Sequence, residues 1–198
     1  SLRSLIMDKV SSIEKLKIKL NNLKKSPLYS YRVENNYVPV FGDGSIDSRI
    51  MLVGEAPGRN EAKTGKPFCG SAGKILDELL RTIKLKREDI YITNIVKDRP
   101  QDNRDPSPKE IEIYGPFLDN EIDIIKPKVI VTLGRYAMNY IMNKYNLNNE
   151  METIGKAHGK VYKAGGIDIV ILYHPCVAIY NRSKLKILKH DFKILKNY

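Results

Sequence analysis

The stretch at residues 50–58, which reads IMLVGEAPG, decides how this chain folds. Its first four residues form a short apolar run, as in a strand with both faces buried. A glycine-rich loop follows, and a helical pattern begins beyond it. The apolar residues that mark one face of this helix are Ile75, Leu76, Leu79, Leu80 and Ile83. A buried strand, a turn and an amphipathic helix in this order are typical of parallel sheets in α/β proteins.

Three later apolar runs, at residues 90–96, 129–133 and 167–173, continue this alternation of strand and helix. We therefore expect an α/β fold, a three-layer α/β/α sandwich with a mainly parallel, four-stranded central sheet. In such sheets, ligands bind at the carboxyl ends of the strands. The segments that follow predicted strands at this edge, and also carry reactive side chains, are residues 54–58, 94–103 and 174–175.

The segment before the quoted stretch has a different pattern. Residues 9–24 predict an amphipathic helix, whose apolar positions are Ile13, Leu16, Leu20 and Leu23. Residues 29–47 look irregular apart from a glycine-rich turn. We expect one domain over residues 1–198, with an N-terminal segment and helix at 1–28 and a catalytic core at 40–198.

Composition narrows the class of partner. The chain has 34 Lys and Arg against 23 Asp and Glu, and its net charge of +11 favours a polyanion such as DNA. A generally Lys-rich composition would give the same charge. Two cysteines, Cys69 and Cys176, form no disulfide framework or CxxC metal pattern, which favours an intracellular setting in cytoplasm or nucleus. No run approaches the roughly 18 apolar residues of a membrane span, so we expect no membrane partner.

The loop at residues 54–58 can bind an oxygen atom through its backbone. The loop includes Gly54, Ala56, Pro57 and Gly58, and its sharp turn after a buried strand exposes backbone N–H groups at the edge of the sheet. No Gly-Lys-Ser or Gly-Lys-Thr closes the loop, so it is not a Walker loop. Taken alone, the loop also fits an ordinary Gly-Pro turn.

Several spaced motifs, found in order, give the chain a family resemblance. Residues 54–73, 91–97, 99–108, 129–135 and 173–175 together resemble the uracil-DNA glycosylase superfamily, in particular its family 4 branch. The resemblance implies a DNA-repair enzyme that flips uracil out of single- or double-stranded DNA and hydrolyses its N-glycosidic bond. It also implies a monofunctional glycosylase that acts as a monomer, without a Schiff-base lysine or a metal.

The resemblance assigns roles to individual side chains. Phe68 would stack on the flipped base, and Asn94 would pair with O4 and N3–H of uracil. His174 would donate a hydrogen bond to uracil O2 as negative charge develops there. Glu55 would orient water or offset the positive charge on the sugar, and Asn103 would lie near the reacting atoms. The alternatives are a core residue at 68 and ordinary turn residues at 94 and 103.

Two further positions concern the specificity of the pocket and its water. Glu61 is expected to guard the C5 side of the base against thymine. Ala56 stands where the best-known branch of the superfamily has an Asp that positions the attacking water. That role must therefore be taken over or weakened here, and we assign Glu55 to an electrostatic role or to positioning water.

The loop after His174 resembles the segment that enters the duplex in this superfamily. An apolar wedge flanked by cations suits that task, although the apolar residues could instead face the core. The predicted DNA-contacting residues are Ile179, Tyr180, Arg182, Ser183, Lys184 and His158.

The chain departs from family 4 where that family holds a four-cysteine iron–sulfur cluster. The matching positions are Leu23, Ser26, Asp98 and Tyr114, none of which supplies a thiolate. We expect no cofactor, and packing through Tyr114 and Leu23 in place of the cluster.

Two rival functions stay open from the sequence. One is a non-catalytic module that binds uracil or damaged DNA on the same fold. The other is an anion- or nucleotide-binding α/β enzyme that uses the glycine-rich loop for phosphate, although the loop lacks the Walker Lys and a GxGxxG pattern.

Overall fold

The computed structural model describes all of residues 1–198, and its centre is one mixed sheet of six strands. The strands are β1 (Asp43–Gly44), β2 (Ile50–Gly54), β3 (Tyr91–Asn94), β4 (Val129–Leu133), β5 (Val161–Ala164) and β6 (Ile167–Leu172). Their order across the sheet is β1-β3-β2-β4-β6-β5. The four inner strands are parallel, and the two edge strands are antiparallel to their neighbours.

The prediction of an α/β sandwich around parallel strands is confirmed, but the strand count of four is wrong. The four expected strands are the inner ones, and β3 is shorter than the predicted 90–96. The pattern missed β1 because it is only two residues long. It missed β5 because this edge strand has a partly exposed, mixed-polarity sequence and joins β6 through Gly165 and Gly166.

The chain also forms nine helices. They are α1 (Leu2–Asn21), α2 (Tyr29–Glu34), α3 (Arg59–Thr64), α4 (Ser71–Thr82), α5 (Pro108–Ile125), α6 (Arg135–Lys144), α7 (Ile154–Ala157), α8 (Val177–Tyr180) and α9 (Lys184–Phe192). One core cluster packs α4 and α9 against one sheet face, and a second packs α5 and α6 against the other. None of the helices is both long and apolar enough to cross a membrane.

The N-terminal segment is more ordered than its sequence pattern suggests. Helix α1 begins at Leu2 and ends at Asn21, not at the predicted 9 and 24, and α2 lies inside the stretch that looked irregular. A third apolar cluster joins α1 to α5 and includes Tyr114. The same cluster includes Val96, just after β3, and Arg32 of α2 lies 3.6 Å from Asp98 in the same segment.

Helix α5 starts as its sequence indicates. Ser107 accepts a hydrogen bond from the backbone N–H of Glu110, and the Glu110 carboxylate accepts one from the backbone N–H of Ser107, each at 3.2 Å. This reciprocal capping box fixes the end of the loop at residues 99–106. The same loop borders the cavity described below.

A fully buried ion pair stabilises the end of β3. Lys97 and Glu121 have 0% exposed side chains and bond to each other, and Glu121 also accepts from Thr93 and Tyr91. The Lys97 ammonium group donates to the backbone oxygen of Asn94 at 2.6 Å. The pair therefore lies directly behind the residue that β3 presents to the cavity.

Lys97→Met is expected to lower the free energy of unfolding by about 3–5 kcal/mol, because it leaves the Glu121 carboxylate buried without its cation. Urea denaturation followed by circular dichroism measures this change. The control is Lys97→Met combined with Glu121→Gln, which removes both charges and should recover part of the loss. A Lys97→Met protein as stable as the wild type would show that this ion pair does not stabilise the fold.

Candidate active site

A cavity of about 390 Å³ opens at the carboxyl ends of the parallel strands. It lies where the sequence predicted a ligand site, and its size is within the range of small-molecule sites. The predicted pocket residues that line it are Glu55, Ala56, Pro57, Gly58, Glu61, Phe68, Asn94, Asn103, His174, Ile179 and Tyr180. Segments far apart in sequence thus meet around one space.

Gly54 allows two of these side chains to approach the strand. A Cβ atom at this position would lie 2.3 Å from Asn94 Oδ1 and 2.6 Å from the Phe68 ring. Both distances are too short for a residue with a side chain at this position. Only glycine leaves room here for Asn94 and Phe68. The glycine therefore sets the depth of the cavity at the end of β2.

Phe68 lies in the wall of the cavity with little of its surface exposed. Its backbone is left-handed, with φ of +50°, and Arg87 donates to its carbonyl oxygen. Arg87 also bonds to Asp77 at 2.6 Å and to the Pro67 carbonyl at 3.2 Å. This support was not predicted from the sequence, because Arg87 lies in a polar turn outside the pocket motifs. An aromatic face is thereby fixed beside His174, with ring centroids 5.6 Å apart.

Asn94, the last residue of β3, has an unusual side chain. It is buried, and its Oδ1 atom has no hydrogen-bond partner. Leaving a buried acceptor unpaired costs about 1–3 kcal/mol, and such atoms in folded proteins call for an explanation. An Asn amide also carries two N–H donors. Asn94 therefore offers an adjacent acceptor and donor to a ligand in the cavity.

The structure fixes the protonation state of His174. The backbone N–H of Cys176 donates to Nδ1 at 3.1 Å, so Nδ1 is an acceptor. Burial lowers the pKa of His174 to about 4, and the ring is neutral at physiological pH. A neutral imidazole with an accepting Nδ1 carries its proton on Nε2. His174 is thus a neutral hydrogen-bond donor through Nε2.

Glu55 is the most perturbed carboxyl group of the cavity. Burial and the nearby Asp105 raise its pKa to about 7, against the lowering effect of Arg135. Gly134, with φ of +96°, makes room for it, since a Cβ there would lie 2.1 Å from Glu55 Oε1. Asp105 also lines the cavity and accepts hydrogen bonds from Arg135 and Tyr136. Sequence reasoning missed Asp105, which looks like an ordinary loop residue.

Comparisons with known proteins place this chain in a known family. The profile of the Uracil DNA glycosylase superfamily matches residues 41–196. A Type-4 uracil-DNA glycosylase from Sulfurisphaera tokodaii is 44% identical over 190 residues, which cover 94% of this chain and 84% of the relative. Another, from Archaeoglobus fulgidus, is 43% identical over 167 residues, or 82% of each chain. The chain belongs to the uracil-DNA glycosylase superfamily.

Within this superfamily the chain is more similar to one branch than to another. A Type-5 uracil-DNA glycosylase from Pyrobaculum aerophilum is only 28% identical over 165 residues, which cover 76% of this chain and 70% of the relative. The two Type-4 relatives above are 44% and 43% identical to this chain. This confirms the predicted similarity to family 4 of the uracil-DNA glycosylase superfamily.

The positions expected to match the cluster cysteines of family 4 do not fit an iron–sulfur cluster. Ser26 and Tyr114 share a hydrogen bond of 2.7 Å, and Tyr114 donates to Asp98. Arg32 lies 3.6 Å from the same carboxylate, and Leu23 packs in the surrounding apolar cluster. All of these side chains are buried, hydrogen bonds join Ser26, Tyr114 and Asp98, and none of the side chains is a thiolate. The predicted packing through Tyr114 and Leu23 is present.

Other groupings of metal-binding side chains are also missing. No group of three or more His, Cys, Asp or Glu side chains is placed to hold a metal ion. Cys69 is exposed, and Cys176 is half-buried beside the cavity. Burial raises the pKa of the Cys176 thiol to about 11, with a further contribution from Glu55, so this sulfur is protonated and is not an activated nucleophile.

The segment predicted to enter DNA stands at the mouth of the cavity. It forms α8 rather than an open loop, and Ile179 and Tyr180 expose 44% and 88% of their surface. Arg182, Ser183 and Lys184 follow and do not line the cavity. The Lys184 ammonium group lies 5.0 Å from the centre of the Tyr173 ring.

His158 is not part of the cavity lining. Its ring stacks on Tyr173 at 4.5 Å, and its Nδ1 lies 2.7 Å from an oxygen of Asp191. The pairing joins the turn after α7 to helix α9. The Nδ1 atom of His158 is thus engaged within the protein.

Proposed function

We propose that this protein flips uracil out of DNA and hydrolyses the N-glycosidic bond, leaving an abasic site. The observation that carries the proposal is the unpaired, buried Oδ1 of Asn94 in a cavity that Phe68 and His174 also line. The names of the Type-4 relatives support the same activity. The proposal takes residues 1–198 as one intracellular, monomeric domain, with an N-terminal part at 1–28 and a core at 40–198.

Recognition of uracil would rest on Asn94 and Phe68. The Asn94 Oδ1 atom accepts from N3–H of uracil, and the amide N–H donates to O4. Cytosine presents an acceptor at N3 and a donor at its exocyclic amine, so the same amide would meet it with the wrong groups. Phe68 stacks on the base, which contributes about 1–3 kcal/mol. Glu61, next to Gly58 and Gly70, would stand on the C5 side and oppose the thymine methyl group.

Bond cleavage would depend on His174 and Glu55. As the bond from C1′ to N1 breaks, the electron pair moves into the base, and His174 Nε2–H donates to the O2 that becomes negative. The ionised Glu55 offsets the positive charge on the sugar and orients a water molecule. The water oxygen bonds to C1′ and loses a proton to Glu55 or solvent, and the uracil anion later takes up a proton. Asn103 borders the same space.

The pH profile tests the role of Glu55. Because its pKa is raised to about 7, the ionised form predominates only above that pH. We expect kcat/KM to rise about tenfold per pH unit below this value and to level off above it. His174, whose pKa is about 4, should add no second limb between about pH 5 and 9. Glu55→Gln should lower the rate and flatten the profile; a rising limb that persists in this variant would contradict the assignment.

Contacts with the DNA strand would come from the mouth of the cavity. Ile179 and Tyr180 would fill the gap left by the flipped base. Arg182, Ser183, Lys184 and His158 would contact the backbone, and this binding should weaken as salt rises. A mispaired or single-stranded uracil costs least to flip, so these substrates should react fastest.

The direct test is release of free uracil from single-stranded, U:G and U:A oligonucleotides. Release from any of these, with abasic sites cleavable by alkali, supports the glycosylase. Tight binding without release would instead indicate the alternative, a non-catalytic module that recognises uracil. Neither binding nor release by well-folded protein would remove the proposal.

A further inference from the structure

The loop that carries Asn103 is held to the N-terminal segment by one side chain, Arg99. Its Nε–H donates to Asn103 Oδ1 at 2.8 Å. The Nη1 atom of the same guanidinium donates to the hydroxyl groups of Tyr31 and Tyr37, at 3.1 and 2.9 Å. The guanidinium also lies 5.7 Å from the centre of the Tyr37 ring. Arg99 thus connects α2 with a residue of the cavity rim.

The two tyrosines form a rigid support for this arginine. Their rings meet edge to face with centroids 5.9 Å apart, an arrangement that favours a fixed geometry. The guanidinium is planar and permanently charged, with donors at fixed angles, so several simultaneous bonds define its orientation. Neither tyrosine lines the cavity. Their influence on the cavity passes through Arg99.

The bond from Arg99 determines how Asn103 presents its amide. A guanidinium has donors and no acceptor, so the amide atom that faces it is the oxygen. The NH₂ group of Asn103 therefore points away from Arg99. The backbone of Asp102 and Asn103 is left-handed, each with φ of +54°, and the opposite end of the loop is held by the bond between Arg104 and the buried Glu110. The loop is fixed on both sides of Asn103.

We propose that Arg99 is a positioning residue of the active site, which engages the amide oxygen of Asn103 and so presents the NH₂ group of Asn103 to an oxygen atom of the flipped nucleotide. The inference rests on the proposed glycosylase function. An amide fixed in advance costs no reorganisation when the substrate enters, which is the source of its contribution to the rate. Arg99 itself need not touch the substrate.

A double-mutant cycle between Arg99→Met and Asn103→Ala tests this coupling. Single-turnover uracil release from a U:G duplex gives the rate for wild type, both single variants and the double variant. We expect Arg99→Met to lower the rate about tenfold in the wild-type background and by less than about twofold in the Asn103→Ala background. Equal losses in both backgrounds would overturn the inference, because Arg99 would then act independently of Asn103.

Two further variants separate positioning from charge and from folding. Arg99→Lys keeps the positive charge but not the planar fork, so it should lose activity nearly as Arg99→Met does; full activity would overturn the inference in favour of simple attraction to DNA. The double variant Tyr31→Phe with Tyr37→Phe removes only the hydroxyl acceptors and should lower the rate solely when Asn103 is present. Its melting temperature and its affinity for uracil-free duplex should match wild type.

Absence of uracil release by wild type would remove the proposed function itself, and the inference with it. A failed double-mutant cycle with active wild type would remove only the inference.

Discussion

His174→Ala is expected to lower the single-turnover rate of uracil release on the order of 10²–10³-fold, the usual cost of removing one donor to a developing oxyanion. The donor is well defined here: Cys176 N–H occupies Nδ1, and burial keeps the ring neutral. The interaction strengthens as charge develops on O2, so the loss should appear in kcat with little change in affinity for uracil-containing DNA. Quenched-flow assays with excess enzyme measure the rate directly.

The control for this prediction is His174→Gln. A glutamine amide can place an N–H near the position of Nε2, so this variant should recover part of the lost rate if donation to O2 is the role of His174. His190→Ala, on α9 and outside the cavity lining, should leave the rate unchanged. A His174→Ala protein within about tenfold of wild type would rule out His174 as the principal donor.

Asn94→Asp is expected to reduce kcat/KM for uracil on the order of 10³-fold. The substitution keeps the shape of the side chain but replaces its N–H donor by a second acceptor, which then faces the uracil O4 oxygen. Sites built around specific hydrogen bonds reject a mismatched partner strongly, because buried polar groups are left unpaired or opposed. Competition between uracil- and cytosine-containing oligonucleotides measures both the loss and any change in preference.

A matched control distinguishes this effect from that of an added negative charge. Asn148→Asp introduces the same charge at an exposed position in a turn distant from the cavity lining. It should change kcat/KM by only a small factor, through weaker attraction to DNA. If both variants lose activity equally, the Asn94 amide does not read the base. If Asn94→Asp is nearly as active as wild type, the proposed pairing is wrong.

Much of the scaffold was predictable from local sequence. The apolar runs at 50–53 and 129–133 and the capping box at Ser107 specify their elements through nearest neighbours, so they fold as expected. Helix α2 and strands β1 and β5 were missed because they are short or partly exposed. Such elements depend on the surface they pack against, and that surface is made by residues distant in sequence.

The candidate site likewise contains residues that the sequence indicates and supporting residues that only the structure reveals. The identities of Phe68, Asn94 and His174 could be singled out from motifs, and the structure brings all three to one cavity. The supporting roles of Arg87, behind Phe68, and of Arg99, behind Asn103, gave no local signal. Arg87 bonds to a residue 19 positions earlier, and Arg99, although close in sequence to Asn103, is held by Tyr31 and Tyr37, which are 68 and 62 positions away.

The sequence by itself determined the four inner strands in their order along the chain, their parallel arrangement and the choice of side chains at the carboxyl edge of the sheet. Only the tertiary structure decided their chemical state: the unpaired oxygen of Asn94, the neutral His174 with its proton on Nε2, and the Glu55 carboxyl with a pKa of about 7. The physical reason is that hydrogen-bonding capacity and pKa depend on burial and on nearby charges. Those neighbours come from distant segments of the chain, as Asp105 and Arg135 do for Glu55.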